Sequence, residues 1–266
     1  MLNSQNSNLS YAAQLYLWQK RTLYIGRFEE PLDLSQGAAT LTVSLDQPFS
    51  FITKNMANPI DCKSLILPAG LSVTIDTQDS LIANCNLDAL GRDFLFLSPC
   101  AQKTIGKLGY ELAQEDELIS GFTHMFNSQM NSLEAFDYLD TLLKPKDALK
   151  VKCPPVDPRI EKVIERIQKT AADTITGEEL AESVNLSIPR LAQLFKQQTG
   201  IPIRRYRLWH RLYLTAQNVG LGKNLTDAAL DAGFTDSSHF AHTFRAMLGM
   251  TPSYVLSQIN KTRIVI

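Results

Sequence analysis

Short apolar-rich stretches dominate the first hundred residues of the chain. They run from Thr22 to Phe28, Ala39 to Leu45, Phe49 to Thr53, Lys63 to Leu67, Ser72 to Ile75, Leu81 to Asn84 and Asp93 to Leu97. β-Branched and aromatic side chains are frequent in them, and turn formers such as Pro68-Ala69-Gly70 and Leu90-Gly91 punctuate them. Many short strands separated by turns predict a sandwich or small barrel. Past about residue 108 the period lengthens. Leu133, Phe136, Leu139, Leu142 and Leu143 recur every three or four residues, which predicts a helix. That stripe either packs on the barrel or pairs two chains into a homodimer through residues 131–143. Pro154, Pro155 and Pro158 cannot continue a helix, and the domain boundary is placed there. The expected domains are 1–150, regulatory, and 157–260, helical.

From Asp157 onward the pattern is a series of capped helices. Asp157-Pro158 sets an N-cap before a proline, and Ile160, Val163, Ile164 and Ile167 supply one apolar face. Thr176 and Glu179 fit a capping box. Ser187 opens the next helix and Gly200 ends it. Pro202 opens a long helix to about Val219, and Thr251-Pro252 opens the last.

An internal repeat lies within this half. Glu179 to Gly200 aligns with Asp227 to Gly249, with one extra residue in the second turn. Ala181 matches Ala229, Leu191 matches Phe240, Phe195 matches Phe244 and Gly200 matches Gly249. Each copy reads as a helix, a turn and a second helix. The small alanine lets the two helices approach, and the i, i+4 pair of large apolar residues forms the buried face. Gly233 suits a left-handed position after the first helix of the second copy. This is a helix-turn-helix pattern given twice. The second helix of each copy keeps one face free for a major groove. The outward residues are Pro189, Arg190 and Gln193 in the first copy, and Ser237, Ser238, His239 and His242 in the second. Arg190 aligns with His239 and Gln193 with His242. Arginine can bind guanine O6 and N7, and glutamine can bind adenine N6 and N7. The same residues on an isolated helix would read as an ordinary solvated face; duplication at matched positions favours DNA.

Charge sharpens the division. Residues 1–156 carry 12 Lys and Arg against 17 Asp and Glu, and residues 157–266 carry 14 against 10. A basic half beside an acidic one fits a chain of which one part meets a polyanion. Arg204, Arg205, Arg207 and Arg211 crowd the start of the long helix, where the dipole disfavours cations. They are expected either to meet phosphate or, for Arg207 and Arg211, to pair with acidic residues such as Glu178 or Glu182. Arg204, Arg205 and Arg245 are taken as DNA contacts. Cys62, Cys85, Cys100 and Cys153 form no CxxC pair and read as free thiols. No apolar run is long enough for a membrane span, and the first residues lack the form of a secretory signal, so a cytoplasmic location with no membrane contact is expected.

These residues resemble the AraC/XylS family of transcription regulators. The resemblance covers roughly Asp157 to Leu256 and rests on SIPRLAQLFKQQTG (187–200), RRYRLWHRL (204–212) and LTDAALDAGFTDSSHFAHTFRAMLGMTPSYV (225–255). It implies a seven-helix domain whose two reading helices enter successive major grooves. It places contact positions on Pro189, Arg190, Ala192 and Gln193, and on Ser237, Ser238, His239 and His242. Pro189 and Ala192 depart from a hydrogen-bonding residue, so the first copy is expected to read fewer bases. LILPAGLSVTID (65–76) is more loosely similar to the cupin-like barrels that sense and dimerise in this family. A catalytic cupin needs clustered histidines, and this half has only His124.

The expected fold is therefore α+β: an N-terminal β-rich cupin-like barrel with helices, followed by an all-α domain of seven helices with two helix-turn-helix units. The expected function is a DNA-binding transcription regulator without enzymatic activity, cofactor or metal. Its expected partners are double-stranded DNA, RNA polymerase and a small-molecule effector. The alternatives are a ligand-independent regulator whose first half only dimerises or binds another protein, and an enzyme with chemistry in the β domain.

Overall fold

The computed structural model describes residues 12–35, 37–90, 92–144, 155–170, 175–248, 250–259 and 261–266. The strand-rich half holds β1 (Ala13–Leu17), β2 (Thr22–Gly26), β3 (Leu32–Ser35), β4 (Thr40–Ser44), β5 (Phe49–Ile52), β6 (Ile60–Cys62), β7 (Ser64–Leu67), β8 (Ser72–Asp76), β9 (Ile82–Asn86), β10 (Ala101–Ile105) and β11 (Leu108–Leu112). Helices α1 (Asp93–Leu97), α2 (Glu115–Ser128) and α3 (Ser132–Leu142) complete it. The helical half holds α4 (Pro158–Lys169), α5 (Gly177–Glu182), α6 (Ile188–Thr199), α7 (Ile203–Gly220), α8 (Leu225–Asp231), α9 (Ser237–Leu248) and α10 (Pro252–Ile259), and then a last strand, β12 (Thr262–Val265).

Two sheets form the strand-rich half. The larger has the order β10-β11-β7-β4-β9-β2-β1-β12, and the smaller β3-β8-β5-β6. Strand β4 sits inside the larger sheet and is buried along its whole length. Its Leu41 and Val43 enter the core under α2 and α3, with Leu118, Phe122, Met125, Ala135, Leu139 and Leu143. Its Thr40 and Thr42 hydroxyls instead donate to Asn86 and Asn84 of β9 at 3.2 and 2.8 Å. A second core lies between the sheets, where Leu32, Leu34, Phe49, Phe51, Val73 and Ile75 meet Leu65, Leu67, Ile82 and Leu108. A buried ion network ties this half together. Arg21 donates to both carboxylate oxygens of Asp93, each at 2.7 Å, and to Asp140 at 3.0 Å.

The apolar stripe of α3 is largely spent within the chain, with Ala135, Leu139 and Leu143 fully buried while Leu133 stays 71% exposed. The stretch Asp93 to Leu97, expected as a strand, is helix α1. A short apolar run does not distinguish the two states by period, and here Asp93 is turned inward to meet Arg21. After α1, helical structure resumes at Glu115 rather than at about 108, because Leu108–Leu112 pairs with β10 and β7.

In the helical half the local signals act as read. Asp157 accepts from the Arg159 backbone N–H, and Thr176 and Glu179 form a reciprocal capping box. Ser187 occupies the N-cap of α6 without a side-chain bond. Gly200 and Gly233 take left-handed φ values of 80° and 90°, the second closing α8 before buried Phe234. This half has two cores. Ile160, Val163, Ile167, Leu180, Leu191 and Phe195 form one with Tyr206 of α7. Leu212 of α7 belongs to the other, with Ala229, Phe234, Phe240 and Met247. One helix thus enters both cores and fixes the two units to each other.

The halves are joined in several places. Parallel pairing of β12 with β1 carries the chain back into the larger sheet, from Ala13↔Thr262 to Tyr16↔Val265. Helix α9 packs against β3. The Glu29 backbone N–H donates to the Tyr254 hydroxyl at 3.2 Å. A Cβ placed on Gly37 would lie 2.8 Å from the Trp209 Cβ, so only glycine permits α7 this close. The expected boundary around Pro154 and the thiol of Cys153 fall outside the described residues. Cys62 and Cys85 are free and buried, and Cys100 is free and half-buried. Among the described residues no helix is long and apolar enough to cross a membrane.

Candidate nucleic-acid interface

Each helix-turn-helix unit positions its second helix through the apolar pair found in the repeat. In the first, Leu191 and Phe195 are buried and Ala181 lets α5 approach α6. In the second, Phe240 is buried and Phe244 half-buried, with Ala229 beneath. The opposite faces are open. Pro189, Arg190, Ala192 and Gln193 are all exposed on α6. Arg190 donates to the Gln193 side-chain oxygen at 2.8 Å, so the two polar groups already lie side by side. On α9, Ser237, Ser238, His242 and Arg245 are exposed. His239 is half-exposed, with its ring edge-on to Phe234 at 5.4 Å and the Thr235 hydroxyl 3.2 Å from Nδ1. Asp236 starts this helix by accepting from the His239 backbone N–H at 2.7 Å, a bond that holds its carboxyl below the usual range.

The α7 arginines divide. Arg204 is exposed. Arg205 turns toward the strand-rich half and donates to the Ser35 backbone carbonyl and, at 2.5 Å, to its hydroxyl. Arg207 donates to the Ile175 carbonyl at 2.7 Å. Burial lowers the basicity of both Arg205 and Arg207. The helix dipole disfavours all of these cations alike and does not separate Arg204, facing solvent, from Arg205 at the contact between the halves or Arg207 on a carbonyl of its own half.

A second feature escaped sequence reasoning. A cavity of about 210 Å³ lies between the halves. Strands β1, β2, β3, β9 and β12 wall one side, and α7, α8, α9 and α10 the other. Its lining comes from nine elements, so no periodic signal marks it. The one local clue is polar-apolar-polar Asn84-Cys85-Asn86, whose two amides share the face turned to the cavity.

The helix-turn-helix domain model matches residues 180–258, which spans both exposed helices. The helical half thus carries a helix-turn-helix domain. The chain is also similar to RhaR, the HTH-type transcriptional activator of Escherichia coli (strain K12), at 28% identity over 158 residues. That alignment covers 58% of this chain and 52% of RhaR, so the chain spans about half the length of the curated relatives it matches. Among solved structures, an apo variant of ToxT from Vibrio cholerae superposes with a TM-score of 0.60 at 12% identity, covering 94% of this chain and 98% of ToxT. ToxT with a bound unsaturated fatty acid gives a TM-score of 0.55 at 11% identity, covering 97% and 98%. At these identities the likeness is one of fold, and it takes in the strand-rich half as well as the helical one.

Proposed function

We propose that the chain is a sequence-specific transcription regulator that binds double-stranded DNA with α6 and α9 in successive major grooves. The observation that carries this reading is the outward placement of matched polar pairs on two duplicated helices, Arg190 with Gln193, both exposed, and half-exposed His239 with exposed His242. Pro189, Ser237 and Ser238 flank them, and Arg204 and Arg245 supply phosphate contacts. Phosphate contacts position the protein and base-edge contacts give specificity. Regulation passes through the strand-rich half to RNA polymerase, and a small molecule held in the cavity between the halves controls it. A ToxT structure holding an unsaturated fatty acid supports this effector reading. Any homodimer through residues 131–143 would have to be built around Leu133, the large apolar side chain of that helix left exposed among the described residues.

Selection of bound sequences from a random DNA pool tests the reading, followed by Arg190→Ala and a His239→Ala, His242→Ala double variant. Each should relax preference in a different half of the site by about 1–3 kcal/mol. Uniform weakening on every sequence would contradict base readout by these helices.

A further inference from the structure

We infer that the cavity between the halves takes an uncharged, largely apolar molecule that carries one hydrogen-bonding oxygen, and that Asn84 with Thr22 selects it against a carboxylate of the same size. This inference rests on the effector reading above for its biological consequence, but the binding chemistry stands on the cavity itself.

Size comes first. An apolar cavity of roughly 150 Å³ holds benzene. The volume here is about 210 Å³, which suits a ligand on the order of ten carbon atoms. The walls are hydrocarbon on both sides, with Leu15, Leu17 and Leu34 facing Leu212, Phe244 and Leu248. Transfer of apolar surface into such a site is the driving force for binding.

Polar groups then set orientation. Tyr213, Thr215, Tyr254, Gln258 and Thr262 contribute some from α7, α10 and β12, and a cluster sits on β2 and β9, where Thr22 pairs with Asn86 and Tyr24 with Asn84. Asn86 is used at both ends, since its NH2 donates to the Thr22 hydroxyl at 2.8 Å and its oxygen accepts from Thr40 at 3.2 Å. Asn84 is used at one end only. Its oxygen accepts from Thr42 at 2.8 Å, and its NH2 has no hydrogen-bond partner among the described residues. Thr22 spends a lone pair on Asn86 and keeps its own proton to donate. On this wall two donors without acceptors thus look into the cavity, and a ligand oxygen completes them.

Charge decides the class. The described lining residues include no Lys, Arg or His. A carboxylate moved there would lose its hydration with no cation in return, which costs several kcal/mol even after relaxation. The tyrosine hydroxyls already report such surroundings: burial, and secondarily Tyr254, push the Tyr24 phenol well above its ordinary range. A hydroxyl, ketone or ester oxygen meets the same donors without that cost.

The test uses the full chain with 1-decanol and decanoate as matched probes, followed by calorimetry and thermal shift at pH 7.5, below micelle-forming concentrations. Decanol should bind at least tenfold more tightly than decanoate. Asn84→Leu should weaken decanol several-fold while leaving the melting temperature of the free protein within a few degrees. Equal or tighter binding of decanoate overturns the inference, and so does absence of binding by both probes. Because the wild-type comparison alone decides charge selectivity, failure of the variant to fold leaves the test intact. DNA affinity is measured on the same samples: decanol binding that leaves DNA affinity unchanged would support the cavity chemistry and count against its regulatory use.

Discussion

The Arg205 guanidinium is bound to Ser35, 170 positions away in sequence, through both the backbone carbonyl and the hydroxyl of that residue. A cation expected to reach phosphate is instead a clasp between α7 and the end of β3. Neighbouring Arg204 points into solvent. Salt dependence of DNA binding separates the two roles, because each phosphate contact adds about one to the slope of log K against log salt. Arg204→Ala should lower that slope by about one. Arg205→Ala should leave it unchanged and make the halves easier to separate, read as faster hydrogen exchange at the β3–α7 contact. An equal loss of slope in both variants would return Arg205 to the DNA.

Phe195 is fully buried in the first of the two helical cores and meets the Tyr206 ring edge-on at 5.7 Å. Phe195→Ala should cost about 3–5 kcal/mol in that core. The second core shares only α7 with it, so protection of the Arg190 half of a DNA site should be lost before protection of the His239 half. Footprinting at increasing temperature reads this order directly.

Asp93 and Arg21 are both buried, while Asp140 at the third corner is about one-third exposed. Removing Asp93 strands a buried guanidinium with a partial partner. Asp93→Ala should therefore cost about 3 kcal/mol, the lower end for breaking a buried pair. A double replacement, Arg21→Met with Asp93→Leu, should recover much of that loss in urea unfolding, since it removes the charge together with its partner.

His210 is buried on α7 against Tyr213, at 5.5 Å between rings. Burial lowers the basicity of its imidazole, against a weaker opposing bond from the Gln168 backbone. The unfolded chain takes up a proton on this residue near its ordinary value of 6.5, while the folded chain resists until lower pH. Stability from His210 is thus complete above pH 6.5 and falls as the pH drops below it. Asp88, raised mainly by burial, titrates from its ordinary 3.8 upward and works in the opposite direction at more acid pH. Melting curves between pH 7.5 and 5.5 should show a loss in the wild type that His210→Phe lacks.

Legibility tracked the range of the interaction. Caps act over three residues, so Asp157, Thr176 and Gly233 announced their helices correctly. The duplicated Leu/Phe pairs were legible because one helix face repeats every three or four residues. Asp93–Leu97 was misread because its deciding contact, with Arg21, lies 72 residues away. Strand β3 and the inward role of Arg205 escape for the same reason: β3 is settled by its pairing with distant β8, and Arg205 by Ser35 in the other half of the chain. The cavity was invisible for a related one, since its walls are the undersides of elements whose own patterns were already explained by their separate cores.

Strand β12 pairs beside β1 beyond the last helix, so the helical half is anchored to the larger sheet at its exit. Together with the contacts of α9 and Arg205 on β3 and of Tyr254 on Glu29, that pairing holds the helical half at several points rather than by one tether. Cutting the polypeptide at residues 146–153 would then leave two fragments that elute as one particle, zipped along Ala13–Tyr16 and Thr262–Val265. The strand that zips them also supplies Thr262 and Ile264 to the cavity wall, so whatever lodges there presses on the seam itself.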